Sequence, residues 1–207
     1  MRRKGNKRRN GRNGTWTVGG LIALAFGLFL AFGSSPGSSR SLDDPGFHLL
    51  DHLGRPLSHR DLRGNPTLVF FGYTACPDVC PTALARMAAV LDGFGNHPGG
   101  PRAVFVTLDP ERDSADRLAA YVSAFDSRIL GVGGPREEVA AAAMTFRVYH
   151  RRVAASADGD YRIDHSAAIF LAGNDGRLRA TFGPETEPEA IVAEIRRLVA
   201  SRPSDDT

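Results

Sequence analysis

The sequence predicts an α/β domain, and three observations carry that prediction. From about residue 47 onward, short apolar runs of strand length alternate with segments of helical periodicity. Two late runs, Ala167 to Ala172 and Leu178 to Phe182, are joined by Asn174-Asp175-Gly176, a hairpin signal. The only two cysteines of the chain, Cys76 and Cys80, fall where an apolar run hands over to a helical pattern. In an open α/β sheet, that end of a strand is where ligands bind.

The 207 residues are enough for one domain with a real core. Residues 1–15 form a basic tail with seven basic residues (Arg2, Arg3, Lys4, Lys7, Arg8, Arg9, Arg12) and no acid. The remainder carries 19 Lys and Arg against 23 Asp and Glu, about −4, although the whole chain is +3. This charge balance argues against nucleic acid as a partner and leaves only the tail suited to anionic lipid. Residues 16–33, Trp16 to Gly33, carry no charge. As a helix they would span roughly 27 Å, close to the ~30 Å hydrocarbon core. They are expected to form a membrane anchor with the tail in the cytoplasm and the rest exported. A cleaved signal peptide is the alternative, since Ala31 and Gly33 make a small-x-small site. No cysteine directly follows the run, which excludes lipoprotein processing. Residues 34–45 read as a Gly/Ser/Pro linker, 46–201 as the domain and 202–207 as a short tail.

Within the domain, Phe47 to Leu50 and the bend Asp51 to Arg55 suggest a short strand and turn. Thr67 to Thr74 is a buried strand leading into Cys76, and Leu84, Met87, Ala88 and Leu91 mark the helix that follows. Val104 to Leu108 is a second core strand, ending at Asp109-Pro110-Glu111-Arg112-Asp113. Leu118, Tyr121, Val122 and Phe125 share one helical face; Ile129 to Val132 is a short strand; Val139, Ala142, Ala143 and Phe146 mark another helix. The hairpin follows, and Ile191, Ile195, Leu198 and Val199 make a last helix. Strands alternating with helices, then a hairpin and a helix, fit a thioredoxin-like α/β domain.

The cysteines are spaced C-x-x-x-C, each followed by proline. Pro81 tolerates a first helical turn but not an interior, which places Cys80 at the helix cap and Cys76 in the loop before it. A helix N-terminus favours negative charge, so both thiols should ionise more easily than a free thiol at about 8.5. Two such thiols can form a disulfide or hold a soft metal ion; spacing alone equally fits a plain disulfide or two core thiols. Of the six histidines, His48, His52 and His59 read as surface or turn residues and His97 as a loop residue. His150 follows a helix and could cap its carboxyl end. His165 differs, because Ile163-Asp164-His165-Ser166 immediately precedes a predicted core strand.

Three motifs in order, Tyr73 to Pro81 (Tyr-Thr-Ala-Cys-Pro-Asp-Val-Cys-Pro), Thr107 to Asp113 (Thr-Leu-Asp-Pro-Glu-Arg-Asp) and Asp164-His165-Ser166, resemble the Sco family. The resemblance covers roughly Phe47 to Leu198 plus the anchor. It implies a membrane-anchored, thioredoxin-fold copper protein that helps assemble cytochrome c oxidase. It implies one copper ion, Cu(I) or Cu(II), held by Cys76, Cys80 and His165, and a dithiol–disulfide cycle at the two cysteines. The implied partners are the membrane and the copper-containing oxidase subunit or another exported copper acceptor.

The chemistry agrees with that implication. Cu(I) is soft and takes thiolates, and imidazole suits several copper states. Structural zinc normally wants four protein ligands, and the sequence offers no third cysteine. Met87 and Met144 fall on apolar helix faces and read as core. Asp164 is a candidate to orient His165; Asp78, between the cysteines, and Asp109, at a strand end, are candidates to support the site. The rival reading is a metal-free thiol–disulfide oxidoreductase of thioredoxin type. Those proteins use C-x-x-C and a proline before the facing strand, where this chain has Asp164-His165-Ser166. The reading is therefore an assembly protein rather than an enzyme, with an accessory thiol–disulfide reductase activity left open.

Overall fold

Among the described residues, nine strands and four helices follow one another in the order β1 (His48–Asp51), β2 (Pro56–Ser58), a 3-10 turn (His59–Leu62), β3 (Thr67–Gly72), α1 (Val79–Phe94), β4 (Arg102–Thr107), α2 (Ala115–Ser123), β5 (Ile129–Gly133), α3 (Arg136–Thr145), β6 (His150–Ala154), β7 (Tyr161–His165), β8 (Ile169–Ala172), β9 (Leu178–Phe182) and α4 (Pro188–Ala200). The computed structural model describes residues 46–95, 99–154 and 160–200. The predicted basic tail, anchor, linker and C-terminal tail, and His97, lie outside the described residues. Among those described, no helix is long and apolar enough to cross a membrane.

Seven strands form one sheet in the order β2-β1-β5-β4-β3-β8-β9. β3, β4 and β5 run parallel, as strands joined by helical crossovers must. β1 joins β5, and β8 joins β3, antiparallel, and each carries a hairpin partner. All six β3 residues are buried, which is why its sequence is a continuous apolar run rather than an alternation. α1 buries Cys80, Ala83, Leu84, Met87, Val90 and Leu91, a stripe at helical spacing that begins with the second cysteine.

Phenylalanines set the two faces of β3. Phe71 meets Phe146 and Phe170 at centroid distances of 5.5 and 6.1 Å. Phe70 meets Phe105 and the His165 ring at 6.4 and 5.9 Å. Each fully buried phenylalanine contributes roughly 1.5–3 kcal/mol relative to exposure. Alternation along the strand puts Gly72 on the same face as Phe70, so the face that carries His165 continues to the carboxyl end of β3.

The elements expected from periodicity are all present, with four corrections. Cys80 lies inside the first turn of α1, behind an N-terminal Asp78, and not at the cap itself; prolines are tolerated in that turn, so the helix starts two residues earlier, at Val79. Met144 is exposed rather than core, since the buried stripe of α3 is Val139, Ala142 and Ala143. His150 does not cap α3. Arg147 ends the helix in the left-handed region (φ 56°), and the Val148 N–H bonds the Ala143 carbonyl at 2.8 Å. His150 instead opens β6. Finally, β8 begins at Ile169, and His165 is the last residue of β7, in a separate two-stranded sheet with β6. β6 is almost wholly exposed and polar, so it carries no apolar signal.

Candidate metal centre

β3 ends at Gly72, whose carbonyl accepts the Leu108 N–H at 2.7 Å. The chain then turns over residues 73–78, where the Cys76 N–H bonds the Tyr73 carbonyl at 3.1 Å. Cys76 is buried in this turn and Cys80 is fully buried one helical turn later. Both are free thiols. Gly72 is a residue that sequence reasoning passed over. A Cβ at Gly72 would stand 2.5 Å from Cys80 Sγ, so only glycine leaves room for that sulfur against the strand end. A glycine closing an apolar run was the available signal.

His165 comes to the sulfurs from the β6–β7 hairpin. Its Nε2 lies 3.5 Å from Cys80 Sγ, and its Nδ1 lies 3.0 Å from the Ser166 carbonyl. A carbonyl only accepts, so Nδ1 carries the proton and Nε2 presents a lone pair to the sulfurs. The ring is held edge-on by Phe70 and Tyr73, each at 5.9 Å. One donor atom from each of Cys76, Cys80 and His165 lies within 4.8 Å of the others. Two soft sulfurs and one imidazole that close can be bridged by one ion with bonds of roughly 2.0–2.3 Å to Cys and His. The donor set therefore fits a thiophilic metal such as Cu(I).

The two sulfurs share a proton unequally. The Cys80 thiol donates to Cys76 and pushes the Cys76 pKa down to about 4; burial opposes this, while the Asp78 and Cys80 amides assist. Cys80 moves upward, because its proton is held by Cys76, its sulfur is buried, and Cys76 is charged. The contact thus favours one proton shared between the two sulfurs, with Cys76 the more acidic partner. The sequence expectation of two easily ionised thiols holds for Cys76 and fails for Cys80, since two adjacent buried charges are disfavoured.

The three candidate supporting acids separate. Asp78 touches the site through its backbone amide, which reaches Cys76; its side chain makes no cap hydrogen bond. Asp164 does not hold His165. Neighbours on a strand point to opposite faces, and its carboxylate meets Arg151 and Arg162, each at 3.3 Å. The Ser166 carbonyl takes that place. Asp109 is fully buried and accepts the Tyr161 hydroxyl at 2.6 Å. Three other histidines have local partners: His52 accepts the Gly131 N–H at 3.0 Å, His59 stacks on Phe47, and His48 lies 3.9 Å from Glu138.

The sequence matches the family model described as SCO1/SenC over residues 37–200. It is 41% identical over 157 residues to the human mitochondrial SCO2 homolog, covering 75% of this chain and 59% of that one. The chain thus spans about three fifths of the length of that relative. A solved structure of ScoI from Bradyrhizobium japonicum with copper bound is 39% identical, with a TM-score of 0.69 over 75% of this chain and 98% of that one. Yeast Sco1, also solved with copper bound, is 31% identical, with a TM-score of 0.70 over 78% of this chain and 91% of that one.

Proposed function

The chain belongs to the SCO1/SenC family, and from that premise we propose that it is a copper-binding assembly protein. It takes up one copper ion through Cys76, Cys80 and His165 and serves the copper centre of cytochrome c oxidase. The single observation that carries this reading is the convergence of the three donors, with the His165 Nε2 lone pair turned to the sulfurs. The copper is cargo: it enters at the carboxyl end of β3 and is passed to an exported acceptor, the copper-bearing oxidase subunit. Residues 16–33 hold the domain on the outer side of the membrane, since seven basic residues precede that uncharged run.

The cysteine pair supports a second, compatible role. Cys76 is a ready thiolate with Cys80 beside it as the resolving thiol. Cys76 attacks a disulfide of the acceptor, and one acceptor sulfur leaves as a thiol. Cys80 then breaks the mixed disulfide, and the second acceptor sulfur leaves. Two electrons and the one proton held on Cys80 pass to the acceptor, and the second proton comes from solvent; the acceptor thiols become able to take copper, while this chain is left as the Cys76–Cys80 disulfide.

Competition titration of the reduced full chain with Cu(I) and Cu(II) tests the site. Cys76→Ser or Cys80→Ser should abolish tight Cu(I) binding, since an alcohol is a far poorer ligand for a soft ion. His165→Ala should weaken Cu(I) less, because two thiolates remain, and should remove most of the Cu(II) site. If His165→Ala leaves both copper states and their spectra unchanged, the assignment is wrong. A disulfide reductase working without metal would keep its activity in that variant.

A further inference from the structure

The histidine of the site hangs on a hairpin that shares no ladder with the main sheet among the described strands. Its distance from the cysteines must therefore be set by side chains. We propose that the turn Asp109–Asp113 is a positioning brace with two arms, one fixing the cysteine loop and the other fixing the hairpin that carries His165. The proposal rests on the metal-site reading above.

Asp113 is the first arm. It is buried, and its carboxylate accepts the Thr74 hydroxyl at 2.6 Å, the Thr74 amide at 3.0 Å and the Thr107 hydroxyl at 2.6 Å. Thr74 stands two residues before Cys76, so this carboxylate ties the cysteine turn to the end of β4. Asp109 and Arg112 are the second arm. Asp109 Oδ1 accepts the Tyr161 hydroxyl at 2.6 Å, and Oδ2 accepts the Arg112 Nε–H. Arg112 Nη1 donates to the Tyr161 carbonyl at 3.1 Å, and its guanidinium lies 3.7 Å from the Tyr161 ring centroid. Tyr161, Ile163 and His165 share one face of β7, so holding Tyr161 aims His165.

The arms are coupled. Both the Arg112 and the Asp113 amides bond the Asp109 carbonyl, at 3.1 and 3.0 Å, and the Asp109 amide bonds Thr107 Oγ1 at 2.9 Å. One rigid turn thus reaches the loop of Cys76 and the strand of His165 at once. Because Asp109 is fully buried, removing its partners leaves a buried carboxylate unpaired and releases the hairpin.

The test uses the reduced full chain with two readouts: amide hydrogen exchange without metal, and Cu(I) and Cu(II) affinities by competition. Tyr161→Phe and Arg112→Gln should speed exchange at residues 161–165 by about tenfold or more, with β3 and β4 unchanged. They should weaken Cu(II) by roughly 10–100-fold while Cu(I), held by two sulfurs, changes less than about threefold. Asp113→Asn should weaken both copper states, and Arg112→Lys should recover part of the Cu(II) loss. Arg128→Gln, which removes ion pairs to Asp92 and Asp126, should leave both readouts at the site unchanged. The brace is overturned if hairpin exchange does not move in Tyr161→Phe, or if that variant weakens Cu(I) and Cu(II) equally. Should Arg112→Gln fail to fold, Tyr161→Phe, which loses one hydroxyl, still decides. If the wild-type chain binds no copper, the metal reading fails, and hairpin exchange alone decides the brace.

Discussion

Replacing Gly72 by alanine separates the geometry of the metal site from the stability of the fold. Gly72 uses no positive φ, so alanine meets no backbone obstacle. The new Cβ would stand 2.5 Å from Cys80 Sγ, 3.0 Å from Phe105 Cε2 and 3.1 Å from Phe70 Cε1. Non-bonded heavy atoms rest about 3.5–4.0 Å apart, so the sulfur must retreat by about 1 Å and the rings by less. Cys80 Sγ ends a one-torsion side chain, and rotation to another staggered well is the easiest relief. That rotation carries the sulfur out of its 3.5 Å contact with His165 Nε2. Overpacking should cost the apo fold roughly 1–3 kcal/mol, while Cu(I) affinity should fall by roughly 10–100-fold. Gly131→Ala is the control: its Cβ would meet Leu118 Cβ at 2.9 Å, a comparable clash in a different part of the sheet. It should cost similar stability and leave copper affinity within about twofold. Denaturant unfolding of the reduced chain and a chelator competition titration measure the two quantities. Wild-type Cu(I) affinity in Gly72→Ala, or an equal loss in Gly131→Ala, would refute the reasoning.

Three further outcomes are expected. With Cys76 pushed down to about 4 and Cys80 pushed up, thiolate ultraviolet absorbance should show about one thiolate per chain between about pH 5 and 8, vanishing as pH falls through the Cys76 value; two groups titrating together near 8.5 would contradict the shared-proton pair. Thorough oxidation of the metal-free chain should join Cys76 to Cys80, so that thiol labelling finds none free; two reactive thiols would mean that the pair cannot bridge. A reporter fused after Thr207 should be active only outside the cytoplasm, because the seven basic residues precede the uncharged run; cytoplasmic activity would sink that orientation.

The sequence by itself determined the local order of this protein. β3, β4 and β8 are apolar runs because both their faces are covered, and the α1 stripe from Cys80 to Leu91 is written in its spacing. The cysteines were legible as a site because they lie at a strand-to-helix handover, and His165 because of its motif. Tertiary structure decided what surrounds them. The β6–β7 hairpin has a polar outer strand with no periodic signal, so its existence, and the delivery of His165 from outside the main sheet, could not be read locally. Asp164 stands next to His165 in the chain yet faces its arginines, while Ser166 holds the ring. Asp113 reaches Thr74 across 39 residues, and Tyr161 reaches Asp109 across 52. Periodicity and turn chemistry act over a few residues and choose faces and ends. Which distant groups meet is chosen by how those faces pack, and the turn that holds both halves of the site together exists only once the packing is complete.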